Sequence, residues 1–327
     1  MLNPSLKISI VVLNWNGMKD TLACLESLKK LSYSLHEIIV VDNGSTDGSV
    51  PAIREAFPHC KLIETGANLG FAGGNNAGIE YALAHGADYI LLLNNDTVVA
   101  PDLLECFIET FNVRPDAGLL GAKILRFDQR DTLDHFGGMW DRKSGTFSFV
   151  GLGQKDGADW QESQEIDYAC GAGLMIKRAV FEQVGLLEPR FFLIWEESDF
   201  CFRAKKAGFK TLTCPKAKIW HKVSASFVGK PHSTYFWWRN RLLWIERNLP
   251  VRERWSLTLR VLLPEVVHML KIRVLKKMQL LVTRLIRPRS DLREKELKLL
   301  KNRAALSGVR DYLLRRFGNG PSWIYKK

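Results

Sequence analysis

The sequence predicts an α/β fold on a mostly parallel sheet, followed by a basic, helical C-terminal extension. Three observations lead there. Short β-branched apolar runs alternate with stretches of helical period, the runs themselves lack polar alternation, and the charge changes abruptly near Pro250.

Ile8 to Leu13 is the first such run, followed by polar Asn14-Trp15-Asn16-Gly17 and a helical pattern through Leu22, Leu25 and Leu28. The unit recurs at Glu37 to Val41, where Asp42-Asn43-Gly44-Ser45-Thr46-Asp47-Gly48 leads into a helix ending near Phe57. It recurs again at Lys61 to Glu64 and at Tyr89 to Leu93. Strands without alternation are buried on both faces, which is the pattern of parallel sheets with helical crossovers. Ligands of such sheets bind beyond the carboxyl ends of the strands, where Asn14, Asp42 and Asp96 fall. Residues 118 to 170, with glycine pairs and alternating apolar positions, read as hairpins or a long insertion. A helix from Lys177 to Val184, an aromatic stretch Phe191 to Trp195 and a helix after Asp199 follow.

A chain of 327 residues with 46% hydrophobic composition can bury a full core. The net charge of +12 is not spread evenly: residues 251 to 327 hold 20 basic and 6 acidic side chains, against 27 and 29 before them. The expected division is therefore 1–250 as the main domain and 251–327 as the extension. Six cysteines without CxxC spacing argue against a zinc ribbon or a disulfide framework and fit a reducing cytoplasm. The sequence shows no signal-peptide pattern and no apolar stretch near the roughly 18 residues that cross a bilayer. A soluble or peripheral protein is expected.

Five segments carry chemistry. Asp42-Asn43-Gly44-Ser45 reads either as an ordinary Asx-rich connection or as a site where the Asp42 carboxylate accepts from the ring N–H of uracil or thymine. Asn68-Leu69-Gly70-Phe71-Ala72-Gly73-Gly74-Asn75-Asn76 enters a helix expected to start near Ala77; its glycines permit close backbone approach, and a helix N-terminus favours phosphate. It is neither GxGxxG nor a P-loop. Asn94-Asn95-Asp96 is either an Asx turn or a place where a carboxylate holds Mg²⁺ or Mn²⁺ against a diphosphate. Glu196, Glu197 and Asp199 cluster beside aromatic residues, where one carboxylate's proton affinity rises towards that of a general base; a solvated acidic helix start is the alternative. Trp220 to Phe227 contains His221, which would complete a metal pair if the fold brings it beside Asp96.

Taken in order from Ile8 to Asn248, these segments resemble family-2 glycosyltransferases of the GT-A fold, particularly the rhamnosyltransferase-like members. The resemblance implies a nucleotide-diphosphate sugar donor, a lipid-linked or polysaccharide acceptor, and inversion at the anomeric carbon. It implies that Asp42, with Asn14, Asn43, Gly44, Asn68, Gly70, Gly74, Asn75, Asn94 and Asn95 around the donor, faces a pyrimidine base. Asn94-Asn95-Asp96 looks like the DxD metal motif, with Asn94 where many relatives carry Asp. His221 matches a metal- and diphosphate-contacting histidine. Glu196-Glu197 stands where the family has Glu-Asp, making Glu197 the base and Asp199 its competitor. Gly171, Ala172 and Gly173 resemble the acceptor loop, and Trp195 a sugar-stacking platform.

In the tail, Val267, Leu270, Val274, Met278, Leu281 and Leu285 share a helical face, with Arg273, Lys276, Lys277, Arg284 and Arg287 largely opposite. That pattern suits an anionic membrane surface, with Trp237, Trp238, Trp244 and Trp255 as interfacial anchors; a helix packed on the catalytic domain is the alternative. The expected location is the inner face of the cell membrane. Two rival readings are a nucleotidyltransferase, which lacks a Lys or Arg in residues 62 to 76 to hold a triphosphate, and a nucleic-acid-binding protein acting through the tail, the less favoured partner.

Overall fold

The computed structural model describes residues 6–222, 230–286 and 292–325. Residues 223–227 of the fifth segment, Arg287 and the side chain of Arg284 lie outside that description. The chain divides into two compact units. The first holds the sheet and the helices up to Lys206; the second holds residues 141–146, 193–195 and the helices from Pro231 onward. The boundary expected after Pro250 therefore falls inside the helical unit.

In the first unit, β1 (Ile8–Asn14), β2 (His36–Asp42), β3 (Lys61–Glu64) and β4 (Tyr89–Asn94) run parallel, joined by α1 (Met18–Leu28), α2 (Ser49–Ala56) and α3 (Gly70–Ala84). After β5 (Thr97–Val99) and α4 (Leu103–Val113) come β6 (Ala117–Arg126) and β7 (Leu133–His135), then the β8 (Gly138–Asp141) and β9 (Thr146–Phe149) pair and β10 (Glu165–Ile166). The unit closes with β11 (Gly173–Lys177), α5 (Arg178–Val184), α6 (Glu196–Lys206) and β12 (Lys210–His221). Among the described residues the sheet order is β10-β12-β6-β11-β4-β1-β2-β3, with β5 on β12 and β7 on β6. β11 runs antiparallel between β4 and β6, so the sheet is mixed while its β4-β1-β2-β3 half is parallel.

The missing alternation has its expected cause. Ile8, Ile10 and Val12 point into one core with Leu25, Phe107 and Leu91, while Val11, Ile39 and Val41 point into the other with Ile79, Leu92 and Phe200. Residues 118 to 170 supply β6 to β10, the hairpin-rich stretch anticipated from the alternation. The helix expected near Ala77 instead begins at Gly70, which adopts φ +75. Its glycines serve packing: a Cβ on Gly78 would sit 2.5 Å from Val11 Cγ1 and 3.0 Å from Val41 Cγ2.

The second unit is helical: α7 (Pro231–Asn248), α8 (Val251–Leu257), a π-helical turn at Thr258–Leu262, α9 (Leu263–Ile286) and α10 (Arg293–Leu313). α7 and α10 meet closely at Gly308, where a Cβ would lie 3.1 Å from Arg239 N, and Tyr235 Oη donates to Asp311 at 2.8 Å. Arg241 is fully buried and pairs with Glu265 at 2.6 Å while donating through Nε to Gly145 O at 2.8 Å. The apolar stripe of α9 is outward: Leu270, Val274, Met278, Leu281 and Leu285 are all exposed. Trp255 is exposed as well, whereas Trp244 is completely buried, which removes it from the expected anchors. Among the described residues no helix is long and apolar enough to cross a membrane, and all six cysteines are free thiols.

Placing a branched side chain at Gly78 forces α3 off β1 and β2. Gly78→Val is expected to destabilise the protein by about 1–3 kcal/mol, the usual cost of overpacking a closed interface, read as a lower urea midpoint at unchanged slope.

Candidate active site

The strand ends set the site. In register, Asn14 lies opposite Asp42, and Leu13 opposite Asn94, so the polar residues terminating β1, β2 and β4 emerge side by side. Asn14 is fully buried and joins them. Its amide donates to Asp42 Oδ2 at 2.7 Å and to Ser45 Oγ at 3.1 Å. Its carbonyl accepts from Thr21 Oγ1 at 2.8 Å, Gly17 N at 3.2 Å and Asn95 Nδ2 at 3.3 Å. Asp42 accepts from Ser45 N at 2.9 Å through its other oxygen, so this buried carboxylate keeps only its remaining lone pairs for a ligand. Trp15, directly after Asn14, is 49% exposed and forms an open aromatic face at this edge.

Several residues expected around a donor have structural partners. Asn43 pins the glycine-rich segment, donating to Asn68 Oδ1 at 3.1 Å and Gly70 O at 3.0 Å and accepting from Leu69 N at 2.9 Å. Gly44 takes φ +77, and a Cβ there would press on the Ala67 backbone. Gly74 lies inside α3 against Asn43, and buried Asn75 donates to Phe71 O at 2.9 Å, so both face packing rather than an open cleft. The α3 N-terminus is not free to hold phosphate either, because Phe71 N and Ala72 N both donate to Phe192 O, at 2.6 and 3.4 Å. Met18 N and Ser49 N, at the starts of α1 and α2, are likewise taken by the Asp47 carboxylate at 3.0 and 3.1 Å. The leading N–H of each of these helices is thus already taken within the chain.

Asn94-Asn95-Asp96 forms the turn between β4 and β5. Asn95 donates to Thr21 Oγ1 at 2.9 Å, and the Asn94 carbonyl accepts from Thr97 Oγ1 at 2.7 Å. β5 pairs with the end of β12, placing Thr97 opposite His221. As a result Asp96 Oδ1 lies 3.1 Å from His221 Nε2. The far ring nitrogen, Nδ1, lies 3.1 Å from Asp134 Oδ2. Burial by itself would lower the pKa of His221, but hydrogen bonds and charge from Asp134 and Asp96 outweigh it and raise the pKa to about 9. Lys222 continues the edge: its backbone N donates to Asp96 O at 2.9 Å and its ammonium reaches Asp20 at 2.8 Å.

A hard carboxylate and an imidazole converging on one another suit Mg²⁺ or Mn²⁺. Among the described residues no group of three such side chains converges, so a cation here would draw its remaining ligands from phosphate and water. Asp134, Lys222, Asp20 and Thr21 were not singled out in the sequence. Lys222 carried a signal in its adjacency to His221; the other three sit in a helix turn or a short edge strand without distinctive spacing.

The second cluster is built on α6. The preceding residues Phe192, Ile194 and Trp195 all take positive φ (63, 71 and 81), a strained approach of the kind concentrated at functional sites. In the second unit, Asn240 donates to the carbonyls of Leu193 and Ile194 at 2.7 and 2.8 Å. Glu197 Oε1 accepts from Gly171 N at 3.1 Å, and burial raises the Glu197 pKa against the lowering effect of that bond. Glu196 is buried, and Asp199 is fully buried and paired with Arg203 at 2.9 Å, whose guanidinium also holds Val184 O and Leu186 O. Trp195 is no open platform: its ring is buried beside Trp237 and Trp244, 6.2 and 5.8 Å between centroids. Ala172 is buried and its carbonyl accepts from Asn94 N at 3.3 Å. Glu197, Gly171, Ala172, Asn94, Asn95 and Asn14 thereby form one connected edge.

The profile described as "Glycosyl transferase family 2" matches residues 9–185. Among curated proteins, the low-salt glycan biosynthesis hexosyltransferase Agl10 of Haloferax volcanii is 27% identical over 72% of this chain and 74% of its own. The N-acetylglucosaminyl-diphospho-decaprenol L-rhamnosyltransferase of Mycobacterium tuberculosis is 28% identical over 64% and 79%. The dTDP-rhamnosyl transferase RfbF of Shigella flexneri is 24% identical over 74% and 80%. Among solved structures, the mannosyltransferase PcManGT from Pyrobaculum calidifontis, in complex with GDP-Man and Mn²⁺, superposes with a TM-score of 0.56 at 14% identity, covering 97% of this chain and 90% of that one. The fold is GT-A.

Because folding raises the His221 pKa from 6.5 to about 9, the protonated ring stabilises the metal-free protein fully below about pH 6.5 and progressively less as pH rises through 9. Thermal melts in chelator should show Tm falling across that window, and His221→Asn should flatten the fall. An unaltered slope in that variant would separate His221 from its two carboxylates.

Proposed function

Since the chain belongs to glycosyl transferase family 2, we propose that it moves a sugar from a dTDP- or UDP-sugar, with rhamnose the leading candidate, to a hydroxyl of a lipid-linked or polysaccharide acceptor, with inversion. The single observation that carries this reading is the connected edge running from Asp42 through Asn14, Asn95 and Asn94 to Ala172, Gly171 and Glu197, with Asp96 beside His221. The activities of the rhamnosyl- and hexosyltransferase relatives support the substrate class.

In this reading Asp42 and Asn14 set the acceptors and donors that meet a pyrimidine ring. Asp96 and His221 would hold Mg²⁺ or Mn²⁺, which when bound neutralises charge developing on the leaving diphosphate. Lys222 brings a further cation to the same edge. Glu197 takes the proton of the attacking hydroxyl, its raised affinity matching a base that works near neutrality. The hydroxyl oxygen bonds to the anomeric carbon as the bond to the diphosphate oxygen breaks on the opposite face. Asp199, neutralised by Arg203, anchors α6 and leaves the base role to Glu197.

Glu197→Gln is expected to reduce kcat by roughly 10²–10⁴-fold, the usual worth of a general base, with donor binding preserved. The wild-type rate should fall on the acid side with an apparent pKa above the ordinary 4.5 of Glu. Asp199→Asn should chiefly lower Tm. A folded Asp199→Asn that loses turnover while Glu197→Gln retains it would reassign the base, and a product retaining the donor's configuration would exclude the displacement. Thermal shifts with UDP or dTDP that ignore added Mn²⁺ would remove the metal from the scheme.

For the second unit we propose attachment to an anionic membrane surface through the outward stripe of α9, flanked by Lys271 and Lys277. Val274→Glu with Leu281→Glu should cut co-sedimentation with phosphatidylglycerol vesicles by about tenfold or more, equivalent to ~1.4 kcal/mol, while turnover of a soluble acceptor analogue is unchanged. Equal sedimentation would exclude this face.

A further inference from the structure

β7 is a three-residue edge strand, and the reaction outlined above gives it no task. It pairs with β6, whose other neighbour over this stretch is β12. Asp134 on β7 and His221 on β12 are thus separated by a strand, yet their side chains meet over it at 3.1 Å. The contact is mostly buried on both sides, at 17% and 16% exposure, which sets it apart from incidental surface pairing.

We propose that Asp134 is a positioning residue for the cation site: it keeps the imidazole proton of His221 on Nδ1 and so leaves Nε2 free to act as a ligand beside Asp96. This rests on the reading of Asp96 and His221 as the metal pair. Its physical core is a competition between two carboxylates for one ring proton. Asp96 lies 3.1 Å from Nε2 and Asp134 lies 3.1 Å from Nδ1, so either can stabilise an N–H on its own side. A neutral imidazole carries one N–H, and only the bare nitrogen coordinates a cation. With Asp96 alone, the proton is drawn to Nε2 and the ligand nitrogen is blocked by the residue meant to share the ion with it. Asp134 offsets that pull and fixes the ring plane, the role that carboxylates behind metal-binding histidines play elsewhere.

The neighbouring geometry supports a dedicated contact. Leu133 and His135, on either side of Asp134, are held by β6 through a register irregularity at Ile124/Leu125. His135 turns to Tyr168, 3.1 Å from its hydroxyl, and accepts from Gly137 N at 3.0 Å. Burial keeps the His135 ring neutral by lowering its pKa to about 4. It therefore adds no charge to the Asp134–His221 pair.

The test uses the full chain and Mn²⁺ alone, titrated by the electron paramagnetic resonance of the free aquo ion, together with ¹⁵N shifts of the His221 ring recorded above its pKa. Asp134→Ala is expected to weaken Mn²⁺ binding by about 10–100-fold and to move the ring proton to Nε2, with Asp134→Glu recovering part of both. Asp134→Asn, which preserves volume, gives the same direction should the alanine variant not fold. Asp96→Ala and His221→Ala provide the reference loss. If they weaken binding but Asp134→Ala and Asp134→Asn do not, the positioning role is wrong while the metal pair stands. If binding falls in the Asp134 variants but the proton stays on Nδ1, Asp134 acts by packing alone and the proposal fails. If Asp96→Ala and His221→Ala bind Mn²⁺ as the wild type does, the metal reading itself is overturned.

Discussion

Everything at this site depends on one buried amide. Asn14 ends the central strand of the parallel half-sheet, and its single carboxamide accepts from three groups on one side while donating to Asp42 and Ser45 on the other. A carboxylate in its place would repel Asp42, and an apolar residue would take one hydrogen bond each from Asp42, Thr21 and Asn95, leaving Asp42 only Ser45 N and leaving Thr21 and Asn95 only each other, a cost of about 0.5–1.5 kcal/mol for each bond lost. Asparagine satisfies both sides because it is donor and acceptor at once. The loop after Asp42 and the Asn94-Asn95-Asp96 turn are therefore set against each other by a side chain, and the parallel register of β1, β2 and β4 supplies only the coarse alignment.

A second layer of order comes from antiparallel additions to that sheet. β11 inserts beside β4, so Ala172 and Gly171 leave the strand end next to Asn94, and Gly171 N is there to orient Glu197. A Cβ on Gly171 would fall 2.6 Å from Phe71 and 2.9 Å from Glu197 Oε1, which explains a glycine at this point without invoking a special dihedral. β12 performs the matching service for Asp96 by bringing His221 against β5. Parallel strands thus present Asn14, Asp42 and Asn94, and antiparallel ones bring Gly171, Ala172 and His221 to the same edge.

Much of this was legible because it is local. Apolar runs without alternation announce buried strands, and the polar residue after each run marks a strand end, so Asn14, Asp42 and Asp96 could be placed together before any coordinates. What escaped was decided by contacts between segments distant in sequence. Asp134 reaches His221 across an intervening strand, 87 positions away, with no spacing rule to connect them. Trp195 reads as a sugar-stacking platform and Trp244 as an interfacial anchor because an aromatic residue carries no local mark of whether its ring is covered. The start of α3 reads as later than Gly70 because glycines read as loop, whereas Gly74 is required by the close approach of Leu13 and Asn43. The Asp199–Arg203 pair, by contrast, is local: the two stand four residues apart, the spacing at which helical side chains meet.

The capping of α3 by Phe192 carries a wider consequence. In many nucleotide-binding α/β proteins the attraction for phosphate is permanent, written into backbone N–H groups that point at the ligand. Here the leading donors of α1, α2 and α3 are already committed to Asp47 and to Phe192 O. Lys222, the ammonium at the same edge, is likewise paired, with Asp20 at 2.8 Å. The N–H groups that could attract an anion at these three helix starts are spent instead on joining one segment of the chain to another.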